Sequence, residues 1–134
     1  MAAAGDDEET LIVHRGEYNF VVLNRFPYTS GHLMIVPYFH TALLSGITDA
    51  AAAELMVLTR ASEQHIRRLY RPDGVNLGMN IGEAAGAGIA GHIHMHILPR
   101  WAGDANFMST VAQTRVLPEE LTVTWKRFKE AFAV

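Results

Sequence analysis

Three histidines alternate with apolar residues in the run His92-Ile93-His94-Met95-His96-Ile97-Leu98. Alternation is the period of a strand, on which residues two apart share a face at a spacing of roughly 6.6 Å. The run therefore predicts a strand from His92 to Leu98 that Pro99 ends, with the three imidazoles in a row and Ile93, Met95 and Ile97 turned to the core. Folding alone asks for no such row, because a buried ring costs free energy unless it finds a hydrogen-bond partner. Two chemistries use it. Neutral imidazoles bind zinc or copper, for which His-X-His on a strand is a ligand spacing. Alternatively, one imidazole attacks an electrophile while its neighbours orient it and steady the developing charge.

The surroundings favour the second. The preceding loop, Gly82 to Gly91, offers one carboxylate, Glu83, to support a metal site. Its glycines at 82, 86, 88 and 91 instead leave backbone N–H groups open to phosphate oxygens, and Arg100 adds positive charge just after the strand. A metal-binding protein using His92, His94 and His96 is the competing reading.

The elements that must position this row are also legible. Tyr18 to Asn24 and His32 to Val36 are rich in β-branched and aromatic residues, and Pro27 to Gly31 between them carries turn chemistry, which predicts a hairpin. Thr48 suits a helix N-cap with Asp49 in the first turn. Ala51, Leu55, Leu58, Ile66 and Leu69 then recur at helical spacing opposite Glu63, Arg67 and Arg68, predicting a helix from Asp49 to Tyr70. Pro72, Asp73 and Gly74 break it, and Val75 to Ile81 reads as a strand. After Pro118, Leu121, Trp125, Phe128 and Phe132 form one apolar stripe, predicting a C-terminal helix. Interspersed elements with a tight first hairpin imply an α+β fold on an antiparallel sheet. Residues 1–10, with Asp6, Asp7, Glu8 and Glu9 and little apolar surface, are expected to be a disordered N-terminus, and residues 11–134 a single domain.

Composition narrows the functions. Eleven basic against fourteen acidic residues give a net charge of -3, no field for gripping a nucleic-acid polymer. No cysteine is present, so disulfides and a catalytic thiol are excluded. No apolar stretch is long enough to span a bilayer, and the small, acidic start is unlike a signal peptide. The expected setting is the cytoplasm, with no membrane partner.

The histidine run resembles the signature His-φ-His-φ-His-φ-φ, φ being apolar, of the histidine-triad (HIT) nucleotide hydrolases and transferases. The resemblance extends to Asn24-Arg25-Phe26-Pro27, Gly31-His32-Leu33, Pro37, Asn80-Ile81-Gly82 and Pro99-Arg100-Trp101-Ala102-Gly103-Asp104, roughly Leu11 to Asn106. The stretch after the triad looks most like the diadenosine tetraphosphate phosphorylase branch and its fragile-histidine-triad relatives.

The resemblance implies a five-stranded antiparallel sheet with one long helix and a C-terminal helix, doubled into a homodimer through the long helix. It implies attack by His94 on the α-phosphorus of a dinucleoside polyphosphate. A covalent AMP-histidine intermediate would then be released to water or phosphate. His92 would hold the His94 ring in the required tautomer, and His96 would bond the phosphate and assist the leaving group. Asn24 would bind ribose, with Val22 on the same face under the adenine and His32 and Met34 on the corresponding face of the next strand. Asn80, Gly86 and Gly88 would lie near the phosphates, with Trp101 bordering the pocket. AMP or another nucleotide is the implied ligand, and the mechanism requires no metal or other cofactor. One departure stands out: many relatives carry Gln then Ser or Thr where this chain has Ala87 and Gly88. This leaves the acceptor open, and with it a third reading, a nucleotide sensor without efficient turnover.

Overall fold

The computed structural model describes residues 6–25, 29–86, 91–104 and 119–133. Strands β1 (Ile12–Arg15), β2 (Asn19–Leu23), β3 (Leu33–Pro37), β4 (Gly74–Gly78) and β5 (Met95–Arg100) form one sheet in the order β1-β2-β3-β5-β4. Every neighbouring pair is antiparallel. This is the α+β architecture that the pattern and the resemblance imply.

Helix α2 (Asp49–Tyr70) has the bounds that its spacing predicts. The Thr48 side chain accepts from the Ala51 N–H at 3.1 Å, and Arg67 and Arg68 lie in the last turn, where the helix dipole favours them. Its buried stripe, including Leu55, Leu58 and Ile66, meets Val21, Leu23, Leu33, Ile35, Met95 and Ile97 from one face of the sheet. Each such fully buried aliphatic side chain contributes about 1.5–3 kcal/mol. Thr59 and Ser62 also lie on that stripe, and their hydroxyls donate back to the Leu55 and Leu58 carbonyls at 2.7 Å, so neither is left unpaired.

Four local expectations are corrected. The acidic start is not wholly unstructured: Asp7–Thr10 form a helical turn, α1, capped by Asp6, and Asp7 pairs with Arg15 at 2.9 Å. β1 falls within the expected domain but is not marked as a strand by the pattern, because its four residues carry little alternation. β4 stops at Gly78 rather than Ile81, and Gly82 beyond it adopts a φ of 84° that favours glycine. β5 starts at Met95 and continues through Pro99 to Arg100. Pro99 is tolerated because the β3 ladder has already ended at Leu33↔Ile97, so no bond to that neighbour is lost.

Helix α3 (Leu121–Phe132) packs Phe128 into the core, and the Trp125 indole donates to the Ile12 carbonyl at 2.7 Å. Its start is tied to the end of α2: Glu119 accepts from the Tyr70 and Thr124 hydroxyls and pairs with Arg127, which also donates to the Leu69 carbonyl. Pro118 lies outside the described residues. No helix among them is long and apolar enough to cross a membrane.

Candidate active site

β5 alternates as its sequence predicts. Met95 and Ile97 are buried in the core shared with α2, Ile93 just before the strand is also buried, and His94 and His96 are half-buried. The three imidazoles do not, however, stand in one row. The His94 and His96 rings lie edge to face with centroids 4.6 Å apart, while the His92 ring turns aside and donates from Nε2 to the Pro37 carbonyl at 2.7 Å. His92 and His94 precede the first ladder pair of β5, so the strand geometry that would align them is not imposed there.

The hydrogen bonds assign the two tautomers. His94 Nδ1 lies 3.1 Å from the His92 carbonyl oxygen. A carbonyl can only accept, so Nδ1 carries the proton and Nε2 of neutral His94 holds a lone pair. The His92 main chain, not its imidazole as expected, therefore sets the His94 ring. On the other side, the Asn24 amide nitrogen donates to His32 Nδ1 at 3.3 Å, and His32 Nε2 lies 3.0 Å from His96 Nδ1. With its Nδ1 accepting, neutral His32 donates from Nε2, so His96 accepts on Nδ1 and bears its own proton on Nε2. Burial, then the neighbouring His94, holds the His96 pKa below that of an ordinary imidazole, which keeps it in this neutral form near pH 7.

The expected nucleotide face is assembled by cross-strand register. Val22 pairs with Met34, Met34 with His96, and His96 with Gly78, so one row runs from an apolar floor on β2 and β3 to the histidine on β5. Val22 and Met34 are half-buried against Ile12, Phe20 and Val36. His32 departs from its expected role: it is 1% exposed with protein partners on both ring nitrogens, which places it behind His96 rather than against a ligand.

Other residues lie further from the rings. Asn80 is exposed and donates to the Gly86 carbonyl at 3.5 Å, shaping the glycine loop, where Gly86 adopts a φ of 93°. Ala87 and Gly88 lie outside the described residues. Trp101 follows the far end of β5, about 20 Å along the strand from His94. Arg100 is there too, paired with Asp104 at 2.7 Å and bonded to Asn76, so its charge is committed to Asp104 rather than to the phosphate site expected of it. Among the described residues no three His, Asp or Glu side chains are placed to hold a metal ion. The sequence reading missed the Pro37 and Thr41 carbonyls, which are main-chain groups with no side-chain signal, and His40, whose ring stands edge-on to His92 with centroids 5.0 Å apart.

The HIT domain family model matches residues 6–103. AP-4-A phosphorylase of Mycobacterium tuberculosis is 45% identical over 118 residues, which are 88% of this chain and 60% of that protein. The chain thus spans about 60% of the length of this curated relative. Bis(5'-adenosyl)-triphosphatase of Saccharomyces cerevisiae is 29% identical over 91 residues, 67% of this chain and 44% of that protein. Among solved structures, a hypothetical histidine triad nucleotide-binding protein from Sulfolobus tokodaii strain7 matches with a TM-score of 0.74 at 26% identity, covering 92% of this chain and 83% of that one.

Proposed function

The chain belongs to the HIT domain family, and from that premise we propose that it is an enzyme cleaving a dinucleoside polyphosphate, such as diadenosine tetraphosphate, at an α-phosphate. The observation that carries this reading is the pair of opposite tautomers on touching rings. His94 offers a lone pair on Nε2, and His96 offers a proton on Nε2, with centroids 4.6 Å apart. One ring is thus set to attack and its neighbour to donate.

In the proposed reaction, His94 Nε2 forms a bond to the α-phosphorus as the bond from phosphorus to the bridging oxygen breaks. The electron pair leaves with the departing nucleotide, and the His96 Nε2–H donates a hydrogen bond to that oxygen and steadies its developing charge. The AMP held on His94 is released when water or phosphate attacks the same phosphorus. Such transfers depend chiefly on alignment and on stabilising charge, which the paired rings and the amides of the glycine loop are suited to provide. Val22 and Met34 would floor the adenine, and Asn24, half-buried at the end of β2, would take both the ribose and His32. We place the reaction in the cytoplasm, with a nucleotide as the partner and two copies of the chain assembling through α2 together with the β4 edge beside it.

The test incubates the protein with diadenosine tetraphosphate, with and without phosphate, and identifies the products by mass. ADP formed only with phosphate identifies a phosphorylase; ATP plus AMP without it identifies a hydrolase. His94→Ala, checked for folding by circular dichroism, should abolish turnover and any AMP adduct. Full activity in that variant would sink the proposal.

A further inference from the structure

We infer that the segment leaving β3, Pro37 to Thr41, is a positioning device for the nucleophile and that Thr41 is the residue through which it acts. The inference rests on the reading of His94 given above. The peptide unit joining His92 to Ile93 is held at both ends. Its carbonyl accepts from His94 Nδ1 at 3.1 Å, and its N–H donates to the Thr41 carbonyl at 2.8 Å. A peptide unit is planar and carries only these two polar groups, so the two bonds together fix its orientation.

Further contacts hold the same short stretch. The His92 ring is moored to the Pro37 carbonyl at 2.7 Å and the His40 ring stands against it. A Cβ at Gly91 would come within 3.0 Å of His40 Nε2, so the main chain approaches His40 more closely than a side chain there would comfortably allow. Thr41 is itself fixed, since its hydroxyl accepts from the Leu43 N–H at 3.2 Å. Gly46 is needed beside it, because a Cβ there would fall 2.2 Å from the Thr41 hydroxyl.

The consequence is chemical. Donation from the Ile93 N–H polarises the peptide and makes the His92 carbonyl a stronger acceptor. That strengthens its hold on the His94 Nδ1 proton, which keeps the lone pair on Nε2 and sets the direction in which it points. If the Thr41 anchor is lost, the peptide turns and the His94 ring turns with it. Thr41 and His40 act through this peptide and through His92, so both are positioning residues.

Replacing Ile93 by its α-hydroxy analogue turns the amide into an ester and removes the N–H while keeping the side chain. With diadenosine tetraphosphate, kcat should fall on the order of tenfold or more, and KM should stay within about twofold, since ground-state binding is untouched. The ¹⁵N spectrum of His94 without substrate should change from one Nδ1–H tautomer to a mixture. Thr41→Ala, which releases the Leu43 bond, should move both readouts the same way, and Thr41→Ser should restore them. Retention of the single tautomer and of kcat in the ester, or in Thr41→Ala, would overturn the inference. If instead the parent protein does not cleave the substrate, the proposed function fails, while the tautomer measurement still decides the role of Thr41.

Discussion

His32 Nε2 lies 3.0 Å from His96 Nδ1, and the direction of that one hydrogen bond decides on which nitrogen His96 carries its proton. Because Asn24 donates to the far side of the His32 ring, His32 donates forward and His96 keeps its own proton on Nε2. His96 lies on β5 and His32 immediately before β3, whose register with β5 places Met34 opposite His96.

It follows that His32→Phe should impair catalysis without emptying the nucleotide face. Losing the group that orients the hydrogen-bond donor to the leaving oxygen should lower kcat by about 10²-fold. The loss should shrink when the leaving group carries its negative charge without that hydrogen bond. Comparing diadenosine tetraphosphate with the p-nitrophenyl ester of AMP reads this directly: equal losses on both substrates would remove His96 from the role of leaving-group donor.

How far the sequence reached follows from what kind of group did the work. His94, His96, Val22 and Met34 were legible because strand alternation places side chains on faces, and α2 was legible because helical spacing, Thr48 and Pro72 bound it. The Pro37, Thr41 and His92 carbonyls that orient the rings are main-chain groups, present at every residue, and only the folded geometry selects them. β1 escaped because four residues carry too little period, and the turn at Asp7–Thr10 because its partner, Arg15, lies in that unread strand. Arg100 was assigned to phosphate from its charge, yet Asp104, four residues on, claims it.

Acid should destabilise the protein first through its histidines. His14 and His65 flank Phe132 of α3, with ring centroids 5.1 and 4.6 Å from it. Burial, then Lys129, lowers the His14 pKa against an opposing pull from Glu54; burial, then Arg68 and His14, lowers that of His65. His65 Nδ1 is buried without a hydrogen-bond partner among the described residues. A histidine whose folded pKa lies below its unfolded value takes up its proton first in the unfolded chain. Stability is therefore full above a pH of about 6.5 and declines as pH falls from there toward the folded values. The Tm measured by circular dichroism should be flat above neutrality and drop below it, and His14→Phe with His65→Leu should flatten that drop. A Tm that rises on mild acidification would reverse the assignment.

Glu54 governs a second, lower window. Its carboxylate accepts from the main-chain N–H groups of Glu17, Tyr18 and Asn19 and from the Asn19 side chain, tying α2 to the β1–β2 turn. Burial raises its pKa, but the hydrogen bonds, that of Asn19 foremost, outweigh burial and leave it lowered. A lowered carboxylate stabilises the fold above its unfolded pKa of about 4.3 and loses that contribution as pH falls through the folded value. At pH 7, Glu54→Ala should cost about 1.5–3 kcal/mol, the range for bonds to a charged acceptor. Urea unfolding checks this, and a variant as stable as the parent would show that water replaces the carboxylate without loss.

The open edge of the sheet bears on assembly. Among the described residues β4 is hydrogen-bonded to β5 on one side only, and of its five residues all but Val75 are exposed. Leu77 pairs with Ile97 and so faces the α2 side, where it is 52% exposed, while Met56 and Val57 on α2 are 48% and 58% exposed. Unpaired strand groups beside apolar side chains invite a second strand, and a copy of the same edge meets them with antiparallel symmetry. Sedimentation should give twice the 14.8 kDa chain mass at micromolar concentration. Leu77→Lys, which puts a charge at that edge, should shift the equilibrium toward the single chain and leave the circular dichroism spectrum unchanged. A parent protein that sediments as a single chain at these concentrations would refute assembly through β4.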